Sequence, residues 1–258
     1  MSNNYAVFTI DVEKPYPDAE KGVYDYLKIF EKTGIKATFF VTGDVAIENP
    51  DIVRAIAKEG HEVASHGFDH PYIDKPVGQR TPFFTELTAS DRRNYVQLSK
   101  KVLQDLGGDP KGFRAPWLRV NTTSLHDIAN YFDYDSSLTG KTKNTVDLPA
   151  DLKEIYITAI PGLGAPASTS LYLGRIPKFI FTSLLQLSRS EPLVIYGHSF
   201  DFIKCFTHLY TSWIKRWWYF SRCAPDNIKN VTDLIVFLQN HGIKFVPAYT
   251  VGSKTKGT

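Results

Sequence analysis

Short apolar runs alternate with amphipathic stretches along most of this chain. Tyr5–Ile10 is a compact apolar run suited to a strand buried on both faces. Lys21–Thr33 carries Val23, Tyr26, Leu27 and Phe30 at helical spacing, and Gly34 stands where a C-terminal cap belongs. Ala37–Val41 predicts a second strand, Asp51–Glu59 a helix ended by Gly60, and His61–Ser65 a third strand. After an irregular, proline-punctuated stretch from Pro71 to Thr88, Ser90–Leu106 reads as a helix stopped by Gly107-Gly108. Gly112–Arg114 predicts a very short strand closed by Pro116, followed by a helix over Thr122–Tyr131 and strands over Phe132–Ser136 and Glu154–Thr158. Pro161–Ser170 is a loop rich in Gly, Pro and Ala. Ile176–Leu187, Leu209–Arg222 and Val231–Gln239 have helical patterns, Leu193–Tyr196 is a buried strand running into Gly197-His198, and Lys244–Val246 is a last strand. Such alternation implies parallel strands covered by helices, and about eight units suggest a closed α/β barrel.

With 258 residues, 43% hydrophobic and 14% aromatic, the chain can furnish a substantial core, and no composition break marks a second domain. The expectation is one domain over residues 1–258, with 252–258 a frayed polar tail. A formal charge of +3, without a run of Lys and Arg, gives no footprint for nucleic acid. Cys205 and Cys223 are expected to be reduced thiols. The N-terminus has neither a basic n-region nor an apolar h-region, and no run is long enough to cross a bilayer. These features point to a cytoplasmic protein. One stretch adds a second possibility: Trp213–Phe220 combines Trp213, Trp217, Trp218 and Tyr219 with Lys215 and Arg216. It reads as an outer helix packing its aromatics, as a patch for the headgroup region at the inner membrane face, or as a platform for a glycan.

The candidate chemistry gathers at strand ends. His66 and His70 are four apart in His66-Gly67-Phe68-Asp69-His70, and Asp11 and Glu13 flank Val12 after the first strand. Imidazole is the commonest ligand of a borderline-soft divalent metal, with a carboxylate as the usual third partner. Asp11, His66, Arg114, Asp135 and His198 all fall at or just after the end of a predicted strand, the rim where such barrels do their chemistry. His61 falls at the opposite end. Asp69 reads as solvated or a local cap, and His126, His208 and His241 as surface residues on or beside helices.

Four ordered segments carry a resemblance: Thr9-Ile10-Asp11-Val12-Glu13, His66-x-x-x-His70-Pro71, Phe113-Arg114-Ala115-Pro116-Trp117 and Leu193-Val194-Ile195-Tyr196-Gly197-His198. From Ala6 to about Phe245 the chain resembles the polysaccharide deacetylase family (the NodB-homology domain), in the subset with D-x-D or D-x-E in its first motif. The resemblance implies a distorted (β/α) barrel of seven to eight units and metal-dependent removal of N- or O-acetyl groups from sugars. By position it implies Glu13, His66 and His70 as metal ligands, Asp11 as base, Arg114 as the group that orients the base, and His198 as acid. Asp11 and Glu13 can also exchange roles. Pro116 and Trp117 are implied at the substrate, with the Trp117 N–H a candidate oxyanion donor, and Asp135 or Asp133 as support of His198.

The expected reaction is therefore hydrolysis of an N-acetyl or other N-acyl group on a sugar, with water activated by a divalent metal, zinc foremost. The expected partner is a carbohydrate, cytoplasmic, lipid-linked or of the chitin-oligosaccharide type. Two alternatives stay open: hydrolysis of another C–N bond, as in a formamide or cyclic amide, and a non-catalytic saccharide-binding barrel.

Overall fold

The computed structural model describes residues 5–14, 19–71, 81–142, 144–162, 164–169, 178–187, 192–203 and 227–252, and the structural statements concern these. Eight strands form one sheet: β1 (Tyr5–Val12), β2 (Thr38–Val41), β3 (Glu62–Ser65), β4 (Gly112–Phe113), β5 (Tyr134–Asp135), β6 (Lys153–Glu154), β7 (Leu193–His198) and β8 (Lys244–Phe245). The order is β6-β5-β4-β3-β2-β1-β7, with every pairing parallel and β8 paired to the first residues of β1. Single bridges, Thr139 to Ile157, Ala159 to Pro166 and Ser168 to Tyr196, carry the curled sheet from its β6 edge round to β7. The helices are α1 (Ala19–Thr33), α2 (Gly43–Glu48), α3 (Pro50–Lys58), α4 (Ala89–Asp105), α5 (Thr122–Ala129), α6 (Lys178–Leu187), α7 (Asn227–Asn240) and α8 (Ala248–Gly252). This is the α/β barrel-type architecture expected from the alternating pattern.

Side chains alternate across each strand, and that alternation sorts the core into two layers. Ala6, Phe8, Ile10 and Val12 of β1 face the helices and pack with Val23, Tyr26, Leu27 and Phe30, the stripe that predicted α1. Phe8 meets Phe30 edge-on with ring centres 5.5 Å apart. Val7, Phe40, Ala64, Tyr134 and Val194 instead face one another inside the barrel. On β1 the inward row continues upward from Val7 through Thr9 and Asp11 to Glu13, so it changes from apolar to ionisable toward the C-terminal rim. On β3 the same row runs Glu62, Ala64, His66.

Some elements differ from their sequence pattern. The helix α2 has only six residues, too few for a periodicity to register. The strands expected over Phe132–Ser136 and Glu154–Thr158 reduce to two residues each, because pairing depends on a partner that local composition does not encode. Asp11 lies within β1, paired to His198, rather than beyond the strand end. His61 sits just before β3 at the opposite end of the barrel, where its Nδ1 accepts the N–H of Ala37 at 3.1 Å. His126 and His241 are exposed, as expected. Gly252 is the last residue of α8. Residues 253–258, His208, Cys205, Cys223 and the helix expected over Leu209–Arg222 with its Trp213–Phe220 stretch lie outside the described residues. Among the described residues, no helix is long and apolar enough to cross a membrane.

Candidate metal centre and catalytic rim

The loop after β3 brings two histidines back to one carboxylate. The His66 N–H donates to the carbonyl of Val41 at 3.0 Å, prolonging the ladder, and Gly67 then turns the chain with φ of +81°. A side chain at Gly67 is excluded: a Cβ there would lie 2.4 Å from the hydroxyl of Tyr95 on α4. That hydroxyl donates to the Asp69 carbonyl at 2.6 Å and accepts the Asp69 N–H at 3.3 Å, clasping the loop between the two histidines. The result is that His66 Nε2 lies 3.0 Å and His70 Nε2 2.9 Å from the same Oε2 of Glu13, with all three residues buried.

The donor set fits a cation. His66 Nδ1 lies 2.9 Å from the Arg114 carbonyl oxygen, an acceptor that requires Nδ1 to carry a proton. Its Nε2 faces a carboxylate oxygen, so a neutral ring would set one lone pair against another there. Only an imidazolium or a shared cation satisfies both sides, and an outer carbonyl fixing the tautomer is the usual support of a metal-ligating histidine. Burial disfavours charge on His66, but the nearby Asp11 and Glu13 outweigh it and raise its pKa. Burial also disfavours a charged Glu13, yet the charge of His70 and hydrogen bonds from both rings hold its carboxyl far below the usual range. Glu13, His66 and His70 form the group among the described residues able to share one ion, their ligand atoms all within 4.8 Å of one another.

Beside this cluster, Arg114 is fully buried and follows β4 directly. Its Nη1 donates to Asp11 Oδ1 at 2.8 Å and to Thr9 Oγ1 at 2.9 Å. Nε and Nη2 donate to the carbonyl and hydroxyl of Ser136, both at 2.9 Å. The guanidinium also lies over the Phe40 ring, 4.2 Å from its centre. Every arm of the planar fork is committed, so Arg114 can hold Asp11 in one orientation. His198 ends β7 in register with Asp11. Its ring stacks on Phe200 at 4.6 Å and meets Tyr196 edge-on at 5.3 Å, and its buried Nδ1 has no hydrogen-bond partner among the described residues.

The structure does not bring Asp135 to His198. Asp135 accepts the N–H and hydroxyl of Ser137 at 2.8 and 2.9 Å, and the carboxyl of Glu154 is buried close by. Burial pushes both carboxyl pKa values up, and the nearby Asp135 raises that of Glu154 further. Asp135 thus serves the strand end, with Ser137 Oγ in turn accepting the Ala115 N–H at 2.8 Å. Asp133 precedes β5 and lies at the other end of the barrel. Pro116 opens a 3₁₀ turn in which Trp117 and Leu118 have φ of 61° and 55°, a strained pair of left-handed residues. Trp117 walls the cluster, its ring centre 5.0 Å from that of His70 and its Nε1 donating to the Pro71 carbonyl at 2.7 Å. Tyr95 and Asp201 escape a reading of the sequence: Tyr95 looks like any core aromatic of a helix, and Asp201 carries no motif.

Comparison with known proteins places this geometry. A family model described as polysaccharide deacetylase matches residues 2–136. The peptidoglycan-N-acetylglucosamine deacetylase PgdA of Listeria monocytogenes is 32% identical over 127 residues, which cover 49% of this chain and 24% of that protein. The chain therefore spans about a quarter of the length of that relative. Among solved structures, the Xyl-CE4 domain of a multidomain xylanase from the hindgut metagenome of Trinervitermes trinervoides superposes with a TM-score of 0.58 at 19% identity, covering 97% of this chain and 90% of that one. A CE4 family pseudoenzyme from Bacillus anthracis gives 0.61 at 13% identity, covering 96% of this chain and 65% of that one. At these identities the two structures speak for the fold alone, and the sequence match carries the assignment: this chain belongs to the polysaccharide deacetylase family.

Proposed function

We propose that this protein is a metal-dependent hydrolase that removes the acetyl group from an N-acetylated amino sugar. The observation that carries the reading is the junction on one rim of a buried Glu13–His66–His70 cluster with the Arg114–Asp11 ion pair and His198. The PgdA match supports the substrate class, since that relative is by its name a peptidoglycan-N-acetylglucosamine deacetylase. Glu13, His66 and His70 would hold the ion, and two imidazoles with one carboxylate favour zinc. When bound, such an ion supplies Lewis acidity, polarising an acyl oxygen and making water more acidic.

This chain's own residues do the rest. Asp11 takes a proton from water as the oxygen adds to the acyl carbon, with Arg114 fixing the carboxylate. Trp117 and Pro116 would bound the acyl end of the site, with the backbone N–H of Trp117 as donor to developing negative charge. His198 gives a proton to the nitrogen as the C–N bond breaks, so the products are acetate and a free amine. The D-x-E spacing suits this division, because Asp11 and Glu13 share one side of β1 and the longer Glu13 reaches the histidines.

Elemental analysis of the purified protein, with acetate release from N-acetylated chito-oligosaccharides, tests the reading. About one equivalent of zinc is expected in the wild type and almost none after His66→Ala with His70→Ala, together with loss of acetate release. A wild type that stays empty when zinc is supplied sinks it and leaves the saccharide-binding barrel. Formate from formylated sugars in place of acetate selects the alternative C–N hydrolase. Tyr95→Phe deletes the hydroxyl clasp but keeps the ring, and a competition titration is expected to show zinc affinity lowered about tenfold. An unchanged affinity would show that the loop holds itself.

A further inference from the structure

Among the described residues, His198 lacks the partner that usually holds a catalytic imidazole. No carboxylate reaches its Nδ1 among the described residues, and the ring is steadied only by Phe200 and Tyr196. Its main chain, by contrast, is gripped from both sides. Asp201, buried and three residues on, accepts the His198 N–H at Oδ2 (3.0 Å), and the Asp201 N–H donates to the His198 carbonyl at 3.0 Å. The same Oδ2 accepts the hydroxyl of Tyr26 on α1 at 2.7 Å and that of Thr169 at 2.5 Å. Asn227, at the start of α7, donates to the Asp201 carbonyl at 2.9 Å. The N–H of Ser199 donates to the Asp11 carbonyl at 3.0 Å, so the turn is also sewn to the strand that bears the base. The preceding Gly197 lets the carboxylate close in: a Cβ there would lie 2.4 Å from the Tyr26 hydroxyl and 2.9 Å from Asp201 Oδ2.

A buried carboxylate with three donors on one oxygen is a costly group to keep unless its hydrogen bonds are all made. Here one of them comes from the backbone of His198, and the other two anchor its turn to α1 and Thr169. We infer that Asp201 is a positioning residue for the acid, setting His198 through its backbone where other catalytic histidines are set through the imidazole. The inference rests on the proposed function in taking His198 as the proton donor. Asp135, with both oxygens accepting from Ser137, is free of that duty.

Two substrates separate positioning from mere structure. The amine of an N-acetylated chito-oligosaccharide needs a proton to leave, whereas the phenolate of 4-nitrophenyl acetate does not. Asp201→Ala is expected to lower kcat on the saccharide about 30-fold or more, within the range of lost acid catalysis, with KM within about twofold and the ester nearly unaffected. Asp201→Asn keeps an acceptor oxygen and is expected to recover most of the rate. His198→Ala with Asp201→Ala is expected to be no slower than His198→Ala alone, the mark of two residues acting as one. Equal losses on both substrates, or a double variant far slower than His198→Ala, would overturn the inference. Should Asp201→Ala fail to fold, Tyr26→Phe removes one anchor, with a saccharide-selective loss of about threefold expected and an equal loss on both substrates overturning it. Amide exchange at His198 is the readout that needs no activity. It is expected to quicken in Asp201→Asn, and more in Asp201→Ala, and an unchanged rate overturns the inference. A wild type that releases no acetate defeats the functional reading alone, because the exchange experiment still decides the role of Asp201.

Discussion

Arg114→Met is expected to destabilise the protein by about 3–5 kcal/mol at neutral pH, the range for breaking a buried ion pair from one side. The side chain is fully buried and its donors serve Asp11, Thr9 and both oxygens of Ser136. Methionine fills much of the volume but leaves the buried Asp11 carboxylate without its guanidinium partner. Adding Asp11→Asn removes that charge, so the double variant is expected to regain at least half of the lost stability while remaining inactive. Urea denaturation of the four proteins measures the coupling directly. A single variant within about 1 kcal/mol of the wild type, the scale of a surface pair, would mean that the pair orients Asp11 without supporting the fold. Arg114→Lys keeps the charge but not the planar fork, and the expected result is a folded protein with little activity.

The second large effect lies at the other end of the barrel. Glu62 is buried, and its Oε2 accepts the Thr38 hydroxyl at 2.7 Å and the Tyr249 N–H at 2.9 Å, while Oε1 pairs with the Tyr134 hydroxyl at 2.8 Å. It ties β2, β3 and β5 to the start of α8. Burial, only partly offset by these hydrogen bonds, raises its pKa from 4.5 to about 7. The folded protein therefore holds this proton over a pH interval in which the unfolded chain has released it. The stabilisation is complete below the unfolded value of 4.5, declines as pH rises and is gone once pH passes about 7. The full swing is about 3 kcal/mol. Glu62→Gln mimics the neutral acid, since its carbonyl can accept from Thr38 and Tyr249 and its amide can donate to Tyr134. Relative to the wild type, this variant is expected to gain stability steadily between pH 4 and 8, by about 3 kcal/mol in all. Denaturation curves that run parallel across that interval would rule the linkage out.

The two ends of the barrel were not equally legible in the sequence. Asp11, Glu13, His66, Arg114 and His198 could be placed on one rim because each follows an apolar run, and the end of a parallel strand is a place that local pattern marks. The H-x-x-x-H spacing fits a helical turn or a tight loop equally well, and only the structure shows the turn at Gly67. Glu62 carried no such mark: within Glu62-Val63-Ala64-Ser65 it reads as one polar residue of a short strand, and only the curl of the sheet puts Thr38, Tyr134 and Tyr249 around it. Asp135, like Asp133, is implied as support of His198 by the resemblance alone. A strand end fixes the rim and not the azimuth around it, and Ser137 and Glu154 are simply nearer. Tyr95 and Asp201 are tied by hydrogen bonds to residues far off in the sequence, Asp69 and Tyr26 among them, which no periodicity records.

The place of β1 in the sheet also sets a timetable for synthesis. One edge of β1 pairs with β2 almost at once, but the other waits for β7, and the Thr9 hydroxyl finds the Ile195 carbonyl across 186 residues. On a ribosome, roughly 10–40 s separate the emergence of the two strands. During that interval β1 offers newly made chains an open, apolar edge, and loop closure over such a span is slow. The strand that carries Asp11 is thus the one most exposed to mispairing before the barrel closes, and chaperone dependence during expression is the expected consequence.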